Sequence, residues 1–304
     1  MANLSGENRA LITGRAGFTG GYVTRELESA GYRVFGTAET WAPASDDTTI
    51  TVDLRDRERL RQAVEAIVPD VVVHLAAVSF VAHDDAETIY RTNLLGTRNL
   101  LEALSALTHP PRAVVLASSA NVYGNAAMEV IDETVPPAPE NDYAVSKLAM
   151  EYMAHLWQDR LPISIVRPFN YTGVGQPEQF LLPKIVAHYR ERRPVIELGN
   201  LDVARDFSDV RVVANAYRRI AEHSLSGVTL NMCSGIGFTL SEILAMMAEI
   251  AGYEIEVRVN PEFVRDNEVK RLLGSRRRLE ELIGPLNDIP LRSTLQWMYS
   301  DAGV

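Results

Sequence analysis

The stretch Leu11-Ile12-Thr13-Gly14-Arg15-Ala16-Gly17-Phe18-Thr19-Gly20 decides the fold, because it joins a predicted strand to a predicted helix through three spaced glycines. A side chain on the first glycine would obstruct the tight turn. One on the second would block an approaching pyrophosphate, and one on the third would hold the helix away from the strand. The N-terminus of the helix would then receive the anion. The predicted cofactor-binding residues here are Gly14, Arg15, Gly17, Phe18, Thr19 and Gly20.

On either side of this stretch, short β-branched runs alternate with longer helical patterns. The predicted strands are Ala10–Thr13, Arg33–Thr37, Ile50–Asp53, Val71–Leu75, Ala113–Ser118 and Ser164–Arg167. The predicted helices between them are Gly17–Ala30, Glu58–Ile67, Glu87–Leu107 and Asp142–Gln158. This alternation predicts an α/β fold of the Rossmann type, a doubly wound parallel sheet with helices on both faces.

The alternation breaks down after Pro168, where loops rich in Gly and Pro begin. Helices are predicted at Leu182–Arg192, Val210–His223, Leu240–Ala251 and Ser275–Ile283, with an extended segment at Glu256–Val259. We therefore expect a smaller mixed C-terminal lobe that binds substrate. The expected division is 1–168 for the dinucleotide-binding domain, with about 205–232 returning to it, and 169–204 with 233–304 for the lobe.

Composition excludes several classes of protein. The formal net charge of -10 opposes a nucleic acid partner, because such binding depends on Lys and Arg that neutralise phosphates. Cys233 is the only cysteine, so no internal disulfide can form, and no metal site is predicted. No apolar segment approaches the roughly 20 residues that span a bilayer, and residues 1–7 do not resemble a secretory signal. We expect a soluble, cytosolic protein.

The choice between NAD and NADP is predicted at the end of the second strand. An acid there would accept the ribose hydroxyls of NAD, but the residue is Thr37, with Glu39 two positions later. Arg15 could reach the extra phosphate of NADP, so the sequence favours NADP(H) and leaves NAD(H) possible. Further predicted cofactor contacts are Asp53 and Leu54 after the third strand, and Leu75, Ala76 and Ala77 at the fourth.

The chemistry is predicted at Tyr143 and Lys147, which share one face at the start of a helix because they are four residues apart. A phenol with a pKa of about 10 is a poor acid-base catalyst at neutral pH. A nearby ammonium and an oxidised nicotinamide both favour the phenolate and lower that pKa toward the working range. Ser119 follows the fifth predicted strand, where its hydroxyl would meet a substrate oxygen. These three residues predict hydride and proton transfer at a carbon that bears oxygen.

Together these motifs resemble the extended short-chain dehydrogenase/reductase superfamily, over nearly the whole chain. Within it, Arg167–Gln176, Gly199–Val210 and Asn231–Gly237 are most similar to GDP-4-keto-6-deoxy-mannose reductases, which make GDP-D-rhamnose. The resemblance implies that Asn93 braces the fourth strand and that Lys147 holds the nicotinamide ribose. It also implies a cofactor contact at Pro168 and, for this superfamily, a homodimer built on Glu87–Leu107 and Asp142–Gln158.

The resemblance further implies a substrate site for a nucleotide diphosphate sugar. A guanidinium fork suits phosphate oxygens, and the candidates are Arg205 and Arg265. Asp266 departs from the related enzymes, which usually carry proline there. The full set of predicted substrate residues is Ser79, Ser119, Asn121, Asn170, Lys184, Arg205, Arg265 and Glu268, with the segment Phe180–Lys184 nearby.

Three reactions compete on this scaffold: dehydration, epimerisation and reduction of a 4-keto sugar. Dehydratases place an acid pair after their Thr or Ser, because one carboxyl group protonates the leaving hydroxyl and a carboxylate removes a proton. Ala120 and Asn121 occupy those positions here, which excludes the acids a dehydratase needs. Reduction of a nucleotide-linked 4-keto-6-deoxy sugar is the predicted function. A 4-epimerase that retains NAD and a non-catalytic nucleotide sensor are the alternatives.

Overall fold

The computed structural model describes residues 8–38, 48–78, 85–126, 128–201, 203–263 and 271–301. Up to Pro168 the elements are β1 (Arg9–Thr13), α1 (Phe18–Ser29), β2 (Arg33–Ala38), β3 (Thr49–Thr51), α2 (Arg57–Ile67), β4 (Val71–His74), α3 (Ala86–Tyr90), α4 (Thr97–Ser105), β5 (Ala113–Ala117), β6 (Val130–Ile131), α5 (Asp142–His155) and β7 (Ile163–Pro168). Beyond it they are β8 (Asn170–Thr172), α6 (Leu181–Arg190), β9 (Val195–Leu198), β10 (Ala204–Asp209), α7 (Val210–Glu222), β11 (Val228–Met232), β12 (Gly237–Thr239), α8 (Leu240–Ala251), β13 (Glu256–Val259), β14 (Arg271–Gly274), α9 (Arg277–Ile283) and α10 (Leu291–Ser300).

Seven strands of the described chain form one sheet, in the order β11-β7-β5-β4-β1-β2-β3. β1 pairs in parallel with β2 on one side and β4 on the other, so that Thr13 stands opposite both Thr37 and His74. The strand order reverses at β1, and ligands of open α/β sheets bind outside the carboxyl ends of the strands at such a point. The predicted fold class is confirmed, and the glycine loop begins at this switch point.

The chain forms two compact units, each with most of its contacts within itself. The first comprises Met1–Gly124, Pro137–Pro168 and Ala214–Leu230, and the second comprises Asn125–Pro136, Phe169–Val213 and Asn231–Val304. Two segments lie in the second unit that the sequence prediction placed in the first. Residues 125–136 belong there because β6 pairs with β14, and residues 205–213 because β10 pairs with β8, β12 and β14.

Local sequence explains where several helices begin and end. Asp56 caps α2 by accepting a hydrogen bond from the N–H of Arg59, and Val68 ends that helix in the left-handed region, with φ of 48°. Thr239 and Glu242 form a reciprocal capping box at the start of α8, and Gly252 ends it with φ of 78°. Local capping therefore fixes the ends of both helices.

The predicted helix Glu87–Leu107 is divided in the structure. It begins as α3, continues as a π-helical segment over Arg91–Gly96, and ends as α4. A π segment adds a residue to the helical turn, often at functional positions, and no periodicity in the sequence signals it. This one contains Asn93.

Each unit has an apolar core of its own. The first packs β1, β4, β5 and β7 against α2, α4 and α5, and Leu11, Val72, Leu100, Val114 and Ile165 lie at its centre. The second packs α6, α8 and α10 together around residues such as Ile185, Ile243 and Leu295. Within the described residues, no helix combines the length and apolar character that crossing a membrane requires.

Candidate active site

The glycine loop has the close backbone approaches that a dinucleotide site requires. Gly14 has φ of 73°, and a methyl group on it would lie 2.9 Å from both the Cα and N atoms of Ala76. Gly17 is the N-cap of α1 and supplies no side chain to its first turn. The beginning of α1 therefore presents backbone N–H groups that suit a pyrophosphate, and the residues fit the expected cofactor.

The third glycine lies in close contact with the backbone of the loop. A methyl group on Gly20 would lie 2.2 Å from the carbonyl oxygen of Gly14 and 2.6 Å from that of Arg15. The helix therefore packs closely against the backbone that directly follows β1, and Gly20 permits that contact. Its neighbour Gly21 has no atom within 4 Å of the equivalent position.

Arg15 lies beside Gly36 of β2 and the amino end of β3, and its guanidinium is 3.5 Å from the carboxylate of Glu28 on α1. A methyl group on Gly36 would lie 2.3 Å from the Cδ of Arg15, so glycine makes room for the arginine stem. The guanidinium donates hydrogen bonds to the hydroxyls of Thr48 and Thr49, at 2.7 and 3.1 Å. Thr37 is buried beside it, and its carbonyl oxygen accepts from the N–H of Gly14 at 3.2 Å. Glu39 lies outside the described residues.

The predicted adenine contacts flank the end of β3. Asp53 accepts hydrogen bonds from the backbone N–H of Arg55 at 2.8 Å and from its Nε at 2.9 Å. These bonds to Arg55 hold the pKa of the Asp53 carboxyl below its ordinary value. Leu54 is buried, and its carbonyl oxygen accepts from Asn99 at 3.0 Å. Asn99 of α4 thus holds this turn in place.

A buried hydrogen-bond chain runs below the loop after β4, which contains Leu75, Ala76 and Ala77. His74 Nδ1 lies 2.6 Å from the Thr13 hydroxyl, and its Nε2 lies 2.8 Å from the Thr97 hydroxyl. Thr97 donates to the carbonyl oxygen of Asn93 at 2.7 Å, so it accepts from Nε2–H. Nδ1 then accepts from Thr13, whose oxygen accepts the N–H of Ala76 at 3.2 Å. Burial lowers the pKa of His74 to about 3, and the charge of Lys147 acts in the same direction, so the ring is neutral.

Asn93 connects the loop after β4 to the helix that carries Tyr143. Its Oδ1 accepts from the N–H of Val78 at 2.9 Å, and its Nδ2 donates to the Ser146 hydroxyl at 3.0 Å. Ser146 in turn donates to the carbonyl oxygen of Tyr143 at 2.7 Å. Asn93 thus contacts both the loop that follows β4 and the first turn of α5.

Tyr143 and Lys147 lie on one face of α5, and both are buried. The Lys147 Nζ lies 5.9 Å from the centre of the Tyr143 ring and donates to the carbonyl oxygen of Ala117 at 2.7 Å. Burial lowers the pKa of this ammonium to about 8, while the Glu151 carboxylate opposes that shift. A cation is therefore held one helical turn from the phenol and beside the end of β5.

Ser119 stands two residues beyond the end of β5 and caps the 3-10 turn Ala120–Tyr123, where its Oγ accepts the N–H of Asn121 at 3.1 Å. Ala120 is buried and Asn121 is exposed. Because Lys147 donates to Ala117, the ammonium and the Ser119 hydroxyl are tied to the same short segment of chain.

The predicted substrate residues that the structure describes in the second unit are Asn170, Lys184 and Arg205. Asn170 begins β8 and donates to the carbonyl oxygen of Asp206 at 3.1 Å. Lys184, on α6, donates to the carbonyl oxygen of Glu197 at 3.0 Å and lies 5.1 Å from the centre of the Phe263 ring. Arg205 lies on β10 and donates to the carbonyl oxygen of Ala204 at 2.9 Å. Ser79, Arg265 and Glu268 lie outside the described residues.

Asp206 holds the segment beside Arg205 in place. It is fully buried, and it accepts from the N–H and hydroxyl of Ser234 at 2.8 and 2.7 Å and from the N–H of Gly235 at 2.8 Å. Burial raises the pKa of this carboxyl, although these hydrogen bonds oppose the rise. No local pattern in the sequence marks Asp206, because its partners lie about thirty residues away in the chain.

The profile of the NAD dependent epimerase/dehydratase family matches residues 10–233 of this chain. The chain belongs to this family. GDP-6-deoxy-D-talose 4-dehydrogenase of Aggregatibacter actinomycetemcomitans is 33% identical, over 96% of this chain and 97% of its own length. GDP-6-deoxy-D-mannose reductase of Pseudomonas aeruginosa is 33% identical, over 96% of each chain. The predicted resemblance, and with it a nicotinamide-dependent enzyme, is confirmed.

Two solved structures are similar to this family member over nearly its whole length. A protein of Burkholderia cenocepacia J2315, provisionally described as an epimerase, is 55% identical with a TM-score of 0.92, covering 96% of this chain and 97% of its own. RMD from Pseudomonas aeruginosa, complexed with NADPH, is 32% identical with a TM-score of 0.84 and covers 97% of each chain.

The sequence analysis of this epimerase/dehydratase family member missed the polar groups that hold its site together. These are His74 with Thr13 and Thr97, and a buried ion pair between Glu151 and Arg167. A histidine that ends an apolar strand and a glutamate four residues after Lys147 were the available signals. Neither has a recognisable partner until the chain is folded.

Proposed function

We propose that this enzyme reduces the 4-keto group of a nucleotide-linked 4-keto-6-deoxy sugar, with GDP-4-keto-6-deoxy-D-mannose as the substrate and GDP-D-rhamnose as the product. The observation that carries the proposal is the buried Lys147 ammonium. It lies one turn from Tyr143 and donates a hydrogen bond to Ala117, two residues before Ser119. That arrangement suits stabilisation of an alkoxide that develops next to a proton donor. The two relatives named for GDP-6-deoxy sugars support the substrate class.

Each residue of this group then has a distinct part. A nicotinamide cofactor held at the glycine loop would, in its reduced form, provide the hydride for C4 of the sugar. Tyr143 donates its phenolic proton to the oxygen at C4, Ser119 donates a hydrogen bond to the same oxygen, and Lys147 stabilises the phenolate that remains. The glycine loop and Asn93 hold the backbone of the cofactor site in position.

NADP(H) is the proposed cofactor, because Arg15 brings a guanidinium beside β2 and the first residue of β3, and Thr37 rather than an acid stands near the end of β2. The hydroxyls of Thr48 and Thr49 are already bonded to that guanidinium and would lie beside an added phosphate. The similar RMD structure is complexed with NADPH, which supports the same choice.

The nucleotide sugar is proposed to contact Asn170, Lys184 and Arg205, together with Ser79, Arg265 and Glu268, as well as Ser119 and Asn121. Arg205 follows a buried strand residue and precedes the anchored Asp206, so its backbone is held firmly. A fixed guanidinium suits the diphosphate of the substrate.

The alternative is a 4-epimerase that keeps NAD through its cycle. The provisional description of the Burkholderia cenocepacia protein favours it, as does the absence of acids at positions 120 and 121. The same Tyr143 would then remove a proton from a sugar hydroxyl and return it after the hydride reaches the opposite face.

One experiment separates these functions. Purified enzyme is incubated with NADPH or NADH and freshly made GDP-4-keto-6-deoxy-mannose, the loss of reduced cofactor is followed, and the product is identified by NMR. GDP-D-rhamnose supports the proposal, and GDP-6-deoxy-D-talose would change only the stereochemistry at C4. No oxidation of either cofactor would reject the reductase. Interconversion of two sugars without added cofactor would favour the epimerase, and cofactor binding without any turnover would favour a sensor.

A homodimer in the cytosol is also proposed. The expectation rests on the resemblance, since Met150 and Met153 of α5, and Trp157 just after it, pack in the core of the first unit. Two other apolar side chains of α5 and the residue that caps its end are exposed: Val145 at 38%, Tyr152 at 68% and Leu156 at 80%. Leu95, in the π segment, is 50% exposed. These four residues are the proposed dimer contacts.

A further inference from the structure

Glu151 and Arg167 form an ion pair inside the first unit. Their side chains are only 4% and 8% exposed. Arg167 donates from Nε to Oε1 of Glu151 at 2.9 Å and from Nη2 to Oε2 at 2.5 Å, which is a two-point, directional contact. The pair joins α5, one turn after Lys147, to β7.

Both members of the pair also hold the segment that contains Ser119. The Ser118 hydroxyl donates to Oε1 of Glu151. Arg167 Nη1 donates to the hydroxyl of Tyr123 at 3.0 Å, with the guanidinium 4.9 Å from the centre of that ring. Ser119 directly follows Ser118, and it caps the 3-10 turn that ends at Tyr123. Its backbone is therefore held on both sides by one ion pair.

The same helix is tied to the same strand end a second time. Lys147 donates to the carbonyl oxygen of Ala117, and Ser118 donates to Glu151. The last residue of β5 and the residue that follows it thus bond to two consecutive turns of α5. This register fixes how far the Lys147 ammonium stands from Ser119.

The charges around Lys147 come from several elements. Glu151 lies on its own helix, Arg167 on β7 and the neutral His74 on β4, with the Tyr143 phenol one turn earlier. Among these groups Glu151 is the anion, and its carboxylate is also paired with the guanidinium of Arg167. Replacing a buried ion pair by apolar residues is often neutral or stabilising, so stability alone does not account for this pair.

We propose that Glu151 and Arg167 are positioning residues, which set the spacing between the Ser119 hydroxyl and the Lys147 ammonium and balance the charge of that ammonium. The inference rests on the proposed parts of Ser119, Tyr143 and Lys147 in the reaction. Neither residue of the pair is assigned a contact with substrate or cofactor.

The test uses the fact that the chain has three lysines, Lys147, Lys184 and Lys270. Protein labelled with 13C at the lysine ε position gives three side-chain signals, which Lys184→Arg and Lys270→Arg assign. Titration of the Lys147 signal then measures its pKa without any substrate or cofactor. It remains informative even where the proposed reaction is not observed.

Glu151→Gln and Arg167→Gln are expected to move the pKa of Lys147 in opposite directions. Loss of the Glu151 charge removes the anion that opposes the effect of burial on Lys147, so the pKa of Lys147 falls below its value in the unaltered protein. Loss of the guanidinium leaves Glu151 unshared, so the pKa rises. A merely structural role would loosen and hydrate the site in both variants and raise the pKa in both, which would overturn the charge-balancing part. The control is Glu102→Gln on α4, where Glu102 takes part in more exposed ion pairs; this variant should leave the pKa of Lys147 unchanged.

The spacing is tested with two variants that keep both charges. Ser118→Ala removes the hydrogen bond to Glu151, and Tyr123→Phe removes the one from Arg167. These two variants still test the proposal if Arg167→Gln does not fold. Each is expected to lower kcat for the sugar substrate, by up to about 10²-fold for a displacement near 1 Å, with little change in the dissociation constant of NADPH. Unchanged kcat in both variants would overturn the positioning part. A shared loss of NADPH binding and thermal stability would also overturn it, since that pattern marks general unfolding.

Discussion

The Lys147 ammonium donates a hydrogen bond of 2.7 Å to the carbonyl oxygen of Ala117. This bond ties the helix that carries Tyr143 to the end of β5, two residues before Ser119. A buried lysine with its ammonium fixed in this way holds a positive charge at a set distance from the phenol.

Tyr143→Phe should abolish turnover while leaving NADPH binding nearly intact, because it removes the proposed proton donor and keeps the buried ring. Turnover is measured with the 4-keto sugar, and binding by the fluorescence of NADPH. Tyr152→Phe is the matched control, since that ring lies on the same helix and is 68% exposed. Unchanged turnover in Tyr143→Phe would reject the proposed part of the phenol.

Gly20→Ala should weaken NADPH binding and lower the melting temperature, because its methyl group would lie 2.2 Å from the carbonyl oxygen of Gly14. Gly21→Ala is the control in the same helix, where no atom lies within 4 Å of the added methyl. It should stabilise α1 by about 1 kcal/mol through helix propensity. Equal effects of the two substitutions on binding would contradict the tight contact inferred for Gly20.

Arg15→Gln should raise the dissociation constant of NADPH by roughly 10- to 100-fold, the loss expected for about 1.5–3 kcal/mol of hydrogen bonding to a charged group. Binding of NADH should change little, because it lacks the phosphate that this guanidinium would contact. Fluorescence titration with each cofactor measures both values. Arg33→Gln, at the other end of β2, serves as the control, and a parallel loss of both cofactors in Arg15→Gln would argue against the phosphate contact.

His74 should make folding stability depend on pH between about 6.5 and 3. Its pKa is about 3 in the folded chain because of burial, against about 6.5 for an ordinary histidine, so in this range only the unfolded state takes up the proton. Its contribution to stability is fully present above about pH 6.5 and is lost as the pH falls, by about 1.4 kcal/mol per pH unit.

Urea titrations of the unaltered protein and of His74→Gln at pH 7, 6, 5 and 4 measure this dependence. The variant should be less stable at pH 7, and the difference should narrow steadily toward pH 4. Parallel stability curves for the two proteins would show that His74 does not titrate in this way.

Leu156→Glu should convert the proposed dimer into monomers, because it places a charge on a side chain that is 80% exposed at the C-terminal end of α5. Size-exclusion chromatography with light scattering measures the mass. Val259→Glu is the matched control, since Val259 is 52% exposed on β13 in the other unit. A monomer already present in the unaltered protein would reject the dimer.

Much of the first unit could be predicted because its signals are local. The run from Leu11 to Gly20 contains both the strand and the turn into the helix, and β1 and α1 lie within one or two residues of the prediction. Strands such as Val71–His74 are buried on both faces and read as continuous apolar runs. The short strands β6, β8 and β12 have two or three residues each, and pairing with distant segments defines them.

The sequence by itself determined the fold class, the glycine loop and the Tyr143 and Lys147 pair, because each depends on residues that lie a few positions apart. Only the tertiary structure decided what holds them in place. Glu151 meets Ser118 across 33 positions, and His74 meets Thr13 across 61. Such polar pairs become recognisable only in the folded chain, because burial removes water and forces each group to find a partner that local sequence does not specify.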